Sequence, residues 1–241
     1  NGTRVVIGGP LNNGNGAESG HARVFDRSGN SWVQVGTDID GAAAGDRFGG
    51  AVAISSDGSR VAIGSYFNDG GGTNSGHVRV FQNSGGAWTQ VGADIDGSAG
   101  RGAGFAVAMN AAGSRVVIGG PGVGSVNGEV KVYELTGGTW TQLGATIAGG
   151  LELGTAVAMS DDGNRIALSY PSASGSSLAG SVQVYDWNGT AWAAKGAAIV
   201  GEAINDEAGT AIALSGDGTT LAIVAPNNTG LGRPASRDGG G

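Results

Sequence analysis

Ser75-Gly76-His77-Val78-Arg79-Val80-Phe81 decides the fold, because the chain repeats it. Related segments are Ser19-Gly20-His21-Ala22-Arg23-Val24-Phe25, Asn127-Gly128-Glu129-Val130-Lys131-Val132-Tyr133 and Ala179-Gly180-Ser181-Val182-Gln183-Val184-Tyr185. The steps between copies are 56, 52 and 52 residues, and a Trp follows each copy at one offset: Trp32, Trp88, Trp140 and Trp192. Self-similarity at such a period is the mark of a repeat architecture. Inside the segment, Val78 and Val80 share one face while Arg79 and Phe81 share the other, the period of two that defines a strand.

Working outward, each repeat reads as four strands, seen best in the second copy over 50–55, 60–65, 77–81 and 88–92. Ser56-Asp57-Gly58-Ser59 supplies the tight turn between the first two, since Asp-Gly tolerates the positive φ such a turn needs. The first strand, Ala51-Val52-Ala53-Ile54, returns as Ala106-Val107-Ala108-Met109, Ala156-Val157-Ala158-Met159 and Ala211-Ile212-Ala213-Leu214. Ala alternating with a larger apolar residue, with no charge on either face, predicts burial of both faces at close quarters. Four-stranded units at this period predict an all-β β-propeller of antiparallel blades, whose inner strands need small side chains where blades converge. A parallel β-helix has shorter repeats, and a β-sandwich does not repeat itself strand for strand. About four blades are present, forming a closed small ring or a fragment of a larger propeller. The repeats occupy 1–229, and the Gly-rich tail 230–241 reads as disordered.

Composition narrows the function. Gly is 51 of 241 residues, about three times the usual share, without the strict period of collagen. The net charge of −7 comes without a Lys/Arg cluster, which excludes a nucleic-acid partner. No apolar run approaches the roughly 18 residues of a membrane span, so no membrane insertion is expected. Cysteine is absent, so no disulfide contributes. Asn1 in place of Met, with no signal peptide, suggests a processed chain or a fragment.

Phe48-Gly49 precedes the inner strand of the second copy. The next strand closes with Ile63-Gly64-Ser65, whose counterparts are Ile7-Gly8-Gly9-Pro10, Ile118-Gly119-Gly120-Pro121 and Val224-Ala225-Pro226. This layout resembles the FG-GAP repeat, the blade unit of the integrin α-subunit propeller, from about residue 3 to about 226. It is most similar to the variant with Trp-x-Gln-x-Gly and Gly-Asp-x-Phe-Gly found in large surface proteins of algae and marine microbes. Trp32-Val33-Gln34-Val35-Gly36 and Gly45-Asp46-Arg47-Phe48-Gly49 carry that match. The resemblance implies an extracellular or cell-surface, integrin-like adhesion module. The sequence also departs from the family: Phe48-Gly49 becomes Ala103-Gly104, Leu153-Gly154 and Ala208-Gly209. The family's calcium hairpin is cut down to Ser56-Asp57-Gly58-Ser59-Arg60, with Arg60, Arg115 and Arg165 where a last carboxylate would stand. Calcium takes six to eight oxygen ligands, so one Asp beside an Arg disfavours it, and no cofactor is expected.

The candidate binding residues are Asp38, Asp40, Asp94, Asp96 and Trp187. Each Asp-Ile-Asp-Gly places two carboxylates two residues apart, where they could share a cation. The competing reading is a polar strand edge whose Ile39 and Ile95 face the core, because later copies keep Ile147 and Ile199 but lose the acids. No metal site is assigned. His21 and His77 read as solvent-facing strand residues, and the Trp ladder as packing between blades rather than a carbohydrate stack. Trp187, off the ladder beside Asn188-Gly189, reads as the exposed aromatic. The loops 11–19 and 67–74 are Asn/Asp/Gly-rich while 122–126 and 172–178 are not, the variation by which binding surfaces differ. With two His, no Cys and no singular acid–base pair, no catalytic residue emerges and an enzyme is not expected. The sequence therefore points to a non-catalytic recognition module for a protein or glycan ligand. The alternative is self-assembly as a structural spacer of an extracellular coat or filament.

Overall fold

The computed structural model describes residues 2–171 and 179–228; the tail 230–241 and the loop 172–178 lie outside the described residues. All regular structure described is strand, and every named strand pair is antiparallel. The second repeat forms a complete sheet from Ala51–Ile54, Arg60–Ser65, His77–Ser84 and Ala87–Gln90, in that spatial order. A fifth piece, Ile95–Asp96, adds to the four strands that the repeat predicts; it returns to pair with the start of the third strand, Val78 opposite Ile95. The third and fourth repeats copy this arrangement. The first sheet begins at Arg4–Gly9, equivalent to a second strand, and the last is the hairpin Ala211–Leu214 with Leu221–Val224.

The core is divided among the spaces between successive sheets, as the alternation dictates. Val61 and Ile63 pack back against Ala22, Val24, Ile39 and Phe48 of the first repeat, while Ala62 between them packs forward with Val116 and Ile118 of the third. Ile166 and Leu168 face back and Ala167 forward in the same way. In the second and fourth repeats the larger residues thus fill the rear gap and an Ala the forward gap, where the third repeat uses Val117. The inner strands of neighbouring sheets lie against one another. They are half-buried in the second and third sheets and buried in the fourth, so the expected burial of both faces is met fully only there.

Two side-chain ladders join the blades. The indole Nε1–H groups of Trp88, Trp140 and Trp192 each donate 2.9 Å to a carbonyl of the preceding blade, at Val35, Val91 and Leu143. The ladder therefore serves packing. Arginines reach the other way: Arg4, Arg60, Arg115 and Arg165 donate to the carbonyls of Gly58, Gly113, Gly163 and Gly218 in the next blade's hairpin. Each also holds a partner on its own third strand, namely Asp26, Gln82, Glu134 or Asp186. Arg165, then Lys195, hold the Asp186 carboxyl down to about 2. The hairpin Asp is also committed locally. Asp57 Oδ1 accepts from Ser55 Oγ at 2.7 Å and from the Ser59 N–H at 2.9 Å. The Arg that follows each hairpin is thus an inter-blade staple.

The Phe-Gly and Gly-Ala-Pro positions meet within each blade through hydrogen bonds and between blades through close backbone approach. The Gly49, Gly104 and Gly154 N–H groups bond the carbonyls of Gly64, Gly119 and Ser169. A Cβ on Gly64 or Gly119 would overlap the Gly104 or Gly154 carbonyl, so backbone packs on backbone there. Phe48 is fully buried, and Leu153 takes its place in the third linker at 0% exposure. This divided core and radial stacking of sheets is a β-propeller arrangement.

Candidate functional site

At one end of the sheets the segments entering the inner strands of the third, fourth and fifth repeats come together. Phe105, Thr155 and Thr210 each follow the linker glycine of their repeat, at Gly104, Gly154 and Gly209. With Pro121, Pro171, Glu152 and Glu207 they line an open groove of about 390 Å³. Phe105 is 41% exposed, unusual for an aromatic ring in this chain. Glu152 and Glu207 occupy equivalent positions with φ of 67° and 54°, a left-handed conformation that non-glycine residues adopt at a cost of about 1 kcal/mol or more. Thr155 and Thr210 stabilise those turns by donating Oγ1–H to the Glu152 and Glu207 carbonyls at 2.9 and 2.8 Å. The groove thus presents two carboxylates, an aromatic face and proline edges on a braced backbone. In the preceding repeat Tyr66 packs edge-on to Phe105, and Arg47 lies 4.9 Å over Phe67. The repeat register brings these positions to one place, but Phe105 in the sequence is only an apolar residue beside a strand.

The acidic pairs lie elsewhere, at the short fifth piece of each repeat, which pairs with the start of the third strand. His21 joins Asp38 and Asp40, and His77 joins Asp94 and Asp96, with one ligand-type atom from each residue within 4.8 Å of the others. His21 Nδ1 is 3.2 Å from Asp38 Oδ2. His77 Nδ1 is 3.5 Å from Asp94 Oδ2 and 4.0 Å from Asp96 Oδ1. In both repeats the Gln of Trp-x-Gln-x-Gly, Gln34 or Gln90, donates 2.7 Å to Oδ1 of the first Asp. That bond, then Arg23, holds Asp38 below the usual carboxylate range.

The reading of His77 as solvent-facing is corrected: it is 2% exposed. His77, Arg79 and Phe81 face the first repeat, which covers them, so this face of the strand is not a solvent face. Burial pushes the imidazole below its ordinary pKa, with Asp94 opposing, and Nε2 has no hydrogen-bond partner. Trp187 is likewise not an exposed aromatic. It is half-buried, directly opposite Trp192 across the strand pair, with ring centroids 5.3 Å apart. The exposed Trp is Trp32, at 48%.

Trp32 belongs to an apolar depression of about 430 Å³ with Val5, Ile7 and Phe25. Ile7 is 55% exposed, whereas its equivalents Ile63, Ile118 and Leu168 are 0%, 4% and 0% exposed because a preceding sheet covers them.

Comparison with known proteins agrees with this architecture. Residues 37–81 match the model of the FG-GAP repeat. No curated protein matches the chain. Among solved structures, TolB from Acinetobacter baumannii is 15% identical, with a TM-score of 0.53 over 92% of this chain and 46% of that one. A Bacteroides fragilis protein provisionally assigned as a 6-phosphogluconolactonase is 14% identical, with a TM-score of 0.58 over 92% of this chain and 60% of its own. Its Bacteroides uniformis counterpart gives 14%, 0.55, 85% and 51% for the same measures. The chain spans about half the length of these structures, and at such identities the likeness concerns the fold alone. Residues 37–81 are thus similar to an FG-GAP repeat, and the blade-to-blade ladders and these neighbours show a β-propeller architecture.

Proposed function

We propose that this propeller-type module acts in recognition, without catalysis, in a secreted or cell-surface protein, and that its ligand is a protein or glycan held in the groove beside Phe105. The observation that carries this reading is the 41% exposed Phe105 ring set among Glu152, Glu207 and two prolines on a braced backbone. An aromatic face stacks on an apolar ligand surface, and carboxylates accept from hydroxyl or cationic donors, which is how concave sites fix orientation. The strand scaffold is constant from blade to blade while these entry segments vary, as expected where specificity resides.

Glycan and peptide arrays probed with the chain test the proposal. Phe105→Ala is expected to weaken the bound species about 30-fold, from the roughly 2 kcal/mol typical of an aromatic anchor, with the β-sheet circular dichroism unchanged. Binding that ignores both Phe105→Ala and Glu152→Gln/Glu207→Gln would remove the groove from the account. The second reading, self-assembly, is favoured by the uncovered Val5, Ile7, Phe25 and Trp32 face, whose equivalents are covered by another sheet. Failure of every array ligand, together with concentration-dependent association that Trp32→Glu abolishes, would favour that reading instead.

A further inference from the structure

We propose that the His21–Asp38–Asp40 and His77–Asp94–Asp96 clusters are two equivalent sites for a divalent first-row transition ion of the Zn²⁺ type. The donor set is one imidazole nitrogen and two carboxylates, the mixture that suits borderline ions and leaves a fourth position for water or a ligand. Two ligand atoms on one tetrahedral Zn²⁺ lie roughly 3.4 Å apart, given metal–ligand distances of about 2.1 Å. The observed separations of 3.2, 3.5 and 4.0 Å need only small side-chain adjustments to reach that value. Calcium is a poor occupant, because it wants six to eight oxygens and each cluster offers two carboxylates and a nitrogen.

Three further observations separate these clusters from ordinary surface acids. First, His77 is 2% exposed, presents Nδ1 to both carboxylates and leaves Nε2 without a partner. The buried ring is therefore held with Nδ1 aimed at the carboxylates, where it could serve a cation, while Nε2 points to another side of the ring and is not part of the proposed site. Second, Gln34 and Gln90 each fix one oxygen of the first Asp, leaving Oδ2 turned to the imidazole. Outer-shell bonds of this sort orient metal ligands. Third, the three positions change together along the chain. Where the acids are lost, at Thr146 and Ala148, the His position is Glu129, and the Lys131 ammonium sits 2.7 Å from its Oε1. The third repeat thus carries its own cation. In the fourth repeat the positions are Ser181, Ala198 and Val200, which hold no charged donor at all. Arg23 also bonds Asp38, so the first cluster is the weaker of the two.

Isothermal titration of the full chain with ZnCl₂ tests the proposal, with few competing donors because the chain has two His and no Cys. Two equivalents are expected, with one lost in His77→Gln and the other in His21→Gln. Should His77→Gln unfold the buried site, the exposed carboxylates provide the second route. Asp40→Asn and Asp96→Asn, with native circular dichroism, should each weaken their own site at least tenfold. CaCl₂ should give no comparable binding. Absence of Zn²⁺ uptake by the intact chain would overturn the proposal. So would uptake unchanged in the folded Asp40→Asn/Asp96→Asn double variant.

Discussion

Phe48→Ala is expected to lower the stability of the chain by about 3–5 kcal/mol, read as a shift of the urea midpoint. The ring is fully buried between the first and second sheets. It meets Phe81 and His77 edge-on, both at 6.4 Å between centroids, and carries the Arg79 guanidinium 4.2 Å over its face. Truncation leaves a cavity against Val61 and Ile63 and strips Arg79 of its aromatic partner. That guanidinium is largely desolvated, and its Nε already lacks a hydrogen-bond partner. Two penalties therefore fall on one substitution. A loss below about 1 kcal/mol would mean that the first two sheets do not enclose Phe48 as described.

Trp140→Ala is expected to cost about 3 kcal/mol, and Trp140→Phe only about 1 kcal/mol. The indole packs with the core between the second and third sheets and donates 2.9 Å to the Val91 carbonyl. Phenylalanine keeps most of the apolar contact and forfeits the donor, so the difference between the variants separates packing from the hydrogen bond. Trp32→Ala provides the contrast. Its ring occupies the same position in the repeat but is 48% exposed, and its loss should shift stability by no more than about 0.5 kcal/mol. Equal costs at Trp32 and Trp140 would contradict the blade-to-blade role of the ladder.

The repeat was legible because packing imposed it. The Trp positions, the Ala-rich inner strands and the Asp-Gly turns recur since every blade must fill the same gaps with its neighbours. Burial of particular polar residues was not legible. His77, Arg79 and Phe81 alternate with Val78 and Val80, and alternation alone suggests one wet face. In a stack of sheets both faces are covered, so His77 is enclosed while His21, on the first sheet, stays more open. Trp187 misled for a similar reason. The period shows it off the ladder, but the register sets it directly across from Trp192. Arg60 was readable as the loss of a calcium ligand, yet its bond to Gly113 crosses to another repeat, and no local pattern encodes that reach. The groove beside Phe105 was hidden too, since its lining is drawn from three linkers some fifty residues apart. Asp38 and Asp40, and likewise Asp94 and Asp96, were singled out from their spacing, while the His that meets each pair was set aside.

Blades are joined through their Trp side chains, and hydrogen exchange of the indole N–H groups measures that directly. In ¹⁵N-labelled protein, with resonances assigned by single Trp→Phe variants, the Nε1–H signals of Trp88, Trp140 and Trp192 should exchange slowly. That of Trp32 should exchange at close to the rate of a free indole. Protection of Trp32 equal to the other three, or rapid exchange at all four, would contradict the arrangement of sheets described above.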